Sequence, residues 1–230
     1  TDLIMNWQDE GFLLSKRKFK ENANIINVFT NKYGKVSGIV YGGNSRKIRN
    51  FLQISNRILI FFNSKNENKM GYFKTELLEP ISPKYFNDKK RTVGLLSLTA
   101  ILNILLPEFQ PHKKIYNSLH ELINNFYDKN WAILYVFWEL SIIIELGFDP
   151  NLTVYKKDID LKKSFYDLEI DNIKYKVPNF LISSELPNEI DNNLIRSALI
   201  FTRSLMINKF FLPNNLIYPK SRILMENYFN

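Results

Sequence analysis

The chain has no cysteine and only two histidines, His112 and His120, among its 230 residues. Without cysteine there are no disulfides and no thiolate-held zinc or iron–sulfur centre, a composition that suits a reducing compartment. The two histidines lie eight residues apart with no converging carboxylates, so neither a metal site nor any other cofactor is expected. Glycine is scarce as well, with eight in all. There is no Walker-type phosphate loop, no Gly-rich dinucleotide fingerprint, no Gly-x-Ser-x-Gly elbow and no His-Glu-x-x-His pair. Scattered acids such as Asp9, Glu10, Glu139 and Glu145 could serve a nuclease, but they read first as solvated or paired charge. The expectation is a protein that is not an enzyme. Long hydrophobic runs are also missing. The most apolar stretch, Trp131–Leu146, covers 16 residues and is interrupted by Glu139 and Glu145, short of the ~20 needed to cross a bilayer. It reads as a buried core helix. Thr1–Glu10 carries Asp2, Asp9 and Glu10 and no apolar core, so no secretory leader is expected there and the expected location is cytoplasmic.

What is present is ordinary globular material, with 45% hydrophobic and 14% aromatic residues, enough to bury a real core. The net charge of +8 has two readings. A genome rich in Lys, Asn, Ile, Phe and Tyr codons produces such a bias by itself, whereas a nucleic-acid-binding surface localises it. Residues 1–80 hold 13 Lys/Arg against 7 Asp/Glu, residues 81–150 hold 7 against 7, and residues 151–230 hold 11 against 9. A uniform codon bias does not concentrate charge in the first third. A basic face on an N-terminal unit does.

Within that first third, Glu10–Arg17, Asn24–Thr30, Lys35–Tyr41, Arg57–Asn63 and Met70–Leu78 are short runs rich in β-branched and aromatic residues, separated by turn-forming residues. Five short strands in about 80 residues suggest a small closed barrel of the OB type. Pro80 and Pro83 close the block and mark a domain boundary. Beyond them the hydrophobic period lengthens to about 3.6, predicting helices over Lys89–Leu106, from Pro111 to about Phe126, over Asn130–Leu146, Asp191–Phe210 and Pro219–Phe229. Residues 164–177 instead alternate on either side of Asp171-Asn172, a hairpin signal. The expected architecture is α+β and multidomain: a five-stranded OB-fold barrel over 1–80, then an α-helical domain over 81–230 with a small β-hairpin insertion.

Two basic clusters sit in the barrel region. Lys16, Arg17, Lys18 and Lys20, with Phe19 among them, are expected in the loop after the first strand. Arg46, Lys47 and Arg49 are expected in the loop that follows Gly42-Gly43. Alternation along Lys35–Tyr41 sends Val36, Gly38 and Val40 to the interior and Lys35, Ser37, Ile39 and Tyr41 outward. Lys35 and Tyr41 then offer a cation and an aromatic ring on the outer face, where a phosphate is neutralised and a base stacks. Taken singly, each lysine is a solubilising charge. Two clusters bracketing one small barrel favour nucleic-acid binding.

The segment Met5–Gly43, "MNWQDEGFLLSKRKFKENANIINVFTNKYGKVSGIVYGG", resembles the N-terminal segment of RecO, the bacterial recombination-repair mediator family. Trp7, Asp9-Glu10-Gly11, Val28-Phe29-Thr30, Gly34-Lys35 and Gly42 with Arg46-Lys47 carry the likeness in order and spacing. "LLPEFQPHKKIY", "FWELSIIIELGFD", "FTRSL" and "PKSRILMENYF" extend it over nearly the whole chain, most specifically in residues 7–43 and 134–149. The resemblance implies an OB-fold joined to a helical domain. It also implies DNA repair and recombination through binding and annealing of single-stranded DNA, with help in loading RecA onto coated strands. Implied partners are RecR and the acidic C-terminal tail of single-strand-binding protein, and the implied location is the bacterial cytoplasm, at the nucleoid. Many members carry a four-cysteine zinc site after the Leu-Gly-Phe segment. Here the corresponding region, 153–177, has no cysteine and offers the Asp171-Asn172 hairpin, so zinc is not expected.

Arg196 and Arg203 lie seven apart on the Asp191–Phe210 helix with Leu199 between them. Taken alone, Leu199 is core and the arginines are rim. By the resemblance, the three are expected to receive the partner's acidic tail, which needs an apolar pocket beside a guanidinium. An OB-fold RNA-binding factor with a helical protein-docking domain is the alternative from another class, and a nuclease is a distant third.

Overall fold

Five strands and a short helix form the barrel: β1 (Met5–Lys20), β2 (Ala23–Thr30), β3 (Gly34–Tyr41), α1 (Arg46–Phe51), β4 (Arg57–Ser64) and β5 (Gly71–Glu79). In this computed structural model the described residues are 5–42, 45–65, 70–157, 160 and 163–230, so Gly43 lies outside them. The chain divides into two compact units, one of Thr1–Tyr116 with Pro219–Met225 and one of Asn117–Tyr218 with Glu226–Asn230.

The strand order β1-β2-β3-β5-β4 closes on itself because β1 pairs with both β2 and β4. That order, with a helix between the third and fourth strands, is the OB-fold. One strand serves two partners because it is long and irregular. Met5–Phe12 pairs with β4, Gly11–Lys20 pairs with β2, and a register shift at Leu13/Ser15 re-aims the chain between them. Closure falls on two parallel pairs, Gly38↔Gly71 and Ile39↔Tyr72. Both glycines are required sterically. A Cβ on Gly38 would lie 2.6 Å from the Phe73 ring, and one on Gly71 would lie 2.2 Å from the Phe62 ring. Those two rings, 5.6 Å apart, belong to the barrel core with Leu13, Ile26, Val28, Val36, Val40, Ile58 and Ile60. Helix α1 plugs one end with Leu52, while Ile48 and Phe51 pack against the same core.

The outer face of β2 and β3 is partly covered within the same unit. Helix α2 (Lys89–Leu105) is capped by Asp88, whose carboxylate accepts from the Arg91 amide and pairs with the Arg91 guanidinium at 2.6 Å. From its last turn, Asn103 accepts a hydrogen bond from Asn27 and, through its carbonyl, from Lys35. Residues after α2 run beside β3: the Phe109 amide donates to the Lys35 carbonyl and Ser37 donates to Glu108. Tyr116 closes this flank between Phe12 and Phe29, with ring centroids 5.5 Å from each. Burial, then the nearby Glu10 charge, pushes the Tyr116 phenol well above its ordinary value.

In the second unit, α4 (Trp131–Glu145) packs against α6 (Asn192–Met206). Buried Glu139 accepts from the Thr202 hydroxyl across that interface. The hairpin of β6 (Phe165–Ile170) and β7 (Ile173–Pro178) turns at Asp171 and Asn172, with φ of 49° and 62°, the two left-handed residues of a type I′ turn. It lies against α6 through Tyr175 and Phe201, 5.7 Å apart. Helix α3 (Lys113–Asn124), the short α5 (Asn179–Ser183) and α7 (Lys220–Asn227) complete the chain. The architecture is the expected one, a five-stranded barrel followed by helices with one small hairpin. No helix of the described residues is long and apolar enough to cross a membrane.

Candidate nucleic-acid interface

The first basic cluster lies on a strand, not in the expected loop. Lys16, Arg17 and Lys18 pair with Ile26, Ile25 and Asn24, and Lys20 pairs with Ala23. Composition suggested a loop. The ladder bonds to β2 hold the run extended, and because its charged side chains are exposed nothing opposes a strand. The second cluster also departs from the expected loop, since Arg46, Lys47 and Arg49 ride on α1. The Ser45 hydroxyl caps that helix by accepting from the Ile48 amide at 3.3 Å. Ile48, Phe51 and Leu52 give it one apolar side facing the barrel, so the three cations face outward and are exposed.

The two clusters touch at one residue, Lys16. The Lys16 amine donates to the Leu52 carbonyl at 2.8 Å, at the C-terminal cap of α1, where a cation meets the negative end of the helix. Burial first, and then the charge of nearby Arg49, holds the Lys16 amine below its ordinary value. Lys16 is thus the residue of the first cluster that meets α1, while Arg17, its neighbour on β1, projects from the opposite face of the strand.

Lys35 joins neither cluster. Alternation along β3 is as expected, but the outward side of Lys35 meets α2 instead of solvent. The residue is 8% exposed and its amine donates to the Asn103 carbonyl at 2.7 Å. Burial lowers its affinity for a proton, and Glu108 partly restores it. The sequence alone does not show that a helix some way down the chain covers this part of the strand. Tyr41, at the far end of β3, is open: 52% exposed and stacked on Tyr72, which is 40% exposed, at a centroid distance of 5.6 Å. Paired residues on neighbouring strands share a face. The row Arg17–Ile25–Ile39–Tyr72 and the row Lys20–Ala23–Tyr41 put a cation and a ring on the same face of the sheet, separated by the buried cluster of Ala23, Ile25 and Ile39.

A groove of about 980 Å³ continues from this tyrosine pair. Among the described residues no pairs beyond Ile39↔Tyr72 join β3 to β5, and Val40 and Tyr41 line the groove on one side with Phe73, Lys74 and Thr75 on the other. Sequence reasoning passed over this region. The available signal was period-two alternation in β4 and β5, which sends Phe61 and Asn63, and Tyr72 and Lys74, to the outside.

In the helical unit, Arg196, Leu199 and Arg203 do not form an open pocket. Leu199 is fully buried in the core and Arg196 is half-buried. The Arg203 guanidinium makes a two-bond pair with Glu226, at 2.9 and 3.2 Å. The fork that a tail carboxylate would use is already occupied. Among the described residues no group of three or more His, Asp or Glu side chains is placed to hold a metal.

A closed five-stranded barrel with a helix between its third and fourth strands defines an OB-fold protein. Residues 5–81 match the family described as recombination protein O, N terminal, and residues 87–155 match recombination protein O, C terminal. The chain belongs to the RecO family. Its relatives include the DNA repair protein RecO of Cereibacter sphaeroides, 34% identical over 150 residues, which are 65% of this chain and 63% of the relative. The RecO of Ehrlichia chaffeensis is 35% identical over 151 residues, 65% of this chain and 61% of that one. The RecO of a Wolbachia strain from Drosophila simulans is 26% identical over 239 residues, 96% of this chain and 99% of that one. The match thus spans less than two thirds of the first two relatives and nearly all of the third.

Proposed function

We propose that this chain acts in DNA repair and recombination by binding single-stranded DNA at the basic end of its barrel and pairing complementary strands. The observation that carries this reading is the contact of Lys16, from the first basic cluster, with α1, the helix that carries exposed Arg46, Lys47 and Arg49. Phosphate contacts from such a surface supply affinity without reading sequence. Annealing needs the phosphate repulsion of two strands screened while the bases remain free to pair, and a shallow cationic surface does this where a deep cleft would not. The names of the relatives, DNA repair protein RecO, support the biological setting. The fuller reading makes the chain a non-catalytic mediator that helps load RecA onto coated strands. RecR and the tail of single-strand-binding protein are its partners in that reading, and the Arg203–Glu226 pair must open if the tail is to use Arg203.

The test is annealing of complementary oligonucleotides in the absence of metal and nucleotide. The expected result is faster duplex formation with DNA strands, abolished when Arg46, Lys47 and Arg49 are all changed to glutamate. Preference for RNA strands would favour an RNA-binding factor, and metal-dependent cleavage would favour a nuclease. Either outcome overturns the proposal.

A further inference from the structure

The groove beyond Tyr41 and Tyr72 is built differently from the basic rim. Register places Asn6, Asn63 and Tyr72 in one outward row across β1, β4 and β5, and Gln8, Phe61 and Lys74 in the next. All six line the groove. The rings offer faces for stacking. The amides of Asn6, Gln8 and Asn63 offer paired donors and acceptors, which can address base edges. Lys74 is exposed and supplies a cation for one phosphate. A volume of about 980 Å³ is at the large end for a small-molecule site and accommodates more than one base.

In many OB-folds the single strand lies across the β2–β3 face. Here part of that face is engaged: Asn27 and Lys35 bond to Asn103, and Ser37 to Glu108. An open aromatic surface of the barrel leads from Tyr41 over Tyr72 onto β4 and β5. We infer that this β1–β4–β5 groove holds one or two unstacked bases of a single DNA strand and leaves its other bases free to pair, while the cations of α1 and of the β1–β2 hairpin hold its phosphates. The inference rests on the DNA-binding reading above and adds the site at which bases, as opposed to phosphates, are bound. Charge complementarity selects this occupant. The groove opens between Lys74 and the α1 helix that carries Arg46, Lys47 and Arg49, a border that suits a polyanion with aromatic side groups.

Affinity for an oligothymidylate and for an abasic oligomer of equal length separates the two contributions, because both present the same phosphates. Tyr72→Ala is expected to weaken oligothymidylate binding about tenfold. It should leave the abasic oligomer and the salt dependence unchanged, and Tyr72→Phe should retain wild-type affinity. Trp7 also lines the groove and gives a measurement on the unaltered site. Oligothymidylate, and not the abasic oligomer, should quench emission in the wild type by more than in Trp7→Phe. Equal weakening on both oligomers in Tyr72→Ala would overturn the inference while leaving DNA binding intact. So would unchanged oligothymidylate affinity, the result expected if the groove takes a protein segment. Failure of the wild type to bind either oligomer would instead overturn the DNA-binding reading itself.

Discussion

Lys35 shows how a single side chain can keep its expected direction and change its role. It points outward from β3, but outward there means toward Asn103 on α2. The amine donates to a half-buried carbonyl, and the desolvation that lowers its proton affinity offsets part of that bond, leaving a net contribution of about 0.5–1.5 kcal/mol. Lys35→Met is therefore expected to lower unfolding stability by about 0.5–1.5 kcal/mol in denaturant titrations while leaving single-stranded DNA affinity unchanged. The sign of the pH effect follows from burial. The folded-state value lies below the ordinary 10.5, so between the two the unfolded chain binds more protons and stability rises with pH. The stability gap between wild type and Lys35→Met should widen across that alkaline window. Weaker DNA binding by the variant, with stability unchanged, would return Lys35 to the binding surface. Lys16 shows a milder version of the same change, partly engaged by the Leu52 carbonyl at the cap of α1. Arg203, expected as a rim or tail-binding cation, is held by Glu226.

At the scale of elements, closure of the barrel depends on two residues without side chains. Gly38 and Gly71 face each other across the parallel β3–β5 pairs, and the Phe73 and Phe62 rings occupy the space a Cβ would need. Gly71→Ala is expected to cost about 1–3 kcal/mol through overpacking and to loosen the β3–β5 seam. Thermal unfolding together with hydrogen exchange at Ile39 and Tyr72 measures both effects, and a variant as stable as wild type would refute this account of closure. Much of this architecture was legible in the sequence. Five alternating runs, the change of period after Pro83, and the Asp171-Asn172 turn are local signals, and local signals survive in one dimension. The extent of β1 was not legible, because a basic run reads as loop until its partner strand is known. The α1 helix was hidden by its brevity, and its capping Ser45 lies beside glycines that read as a break. The groove and the cover over Lys35 depend on which strands and helices become neighbours. That information is tertiary, and alternation supplies only half of it.

For the whole molecule, the net charge of +8 matters less than its placement. Arg17, Lys18, Lys20, Arg46, Lys47 and Arg49 are all exposed on the barrel unit, which also presents the stacked Tyr41 and Tyr72. The most direct test of that placement is the salt dependence of affinity for a single-stranded DNA oligomer, compared between the wild type and the variant Arg46→Glu, Lys47→Glu, Arg49→Glu. Each phosphate that the protein no longer neutralises should flatten the log–log slope by about 0.7. The triple variant should therefore bind more weakly at low salt, with a slope reduced by up to about 2. An unchanged affinity and slope would contradict the account.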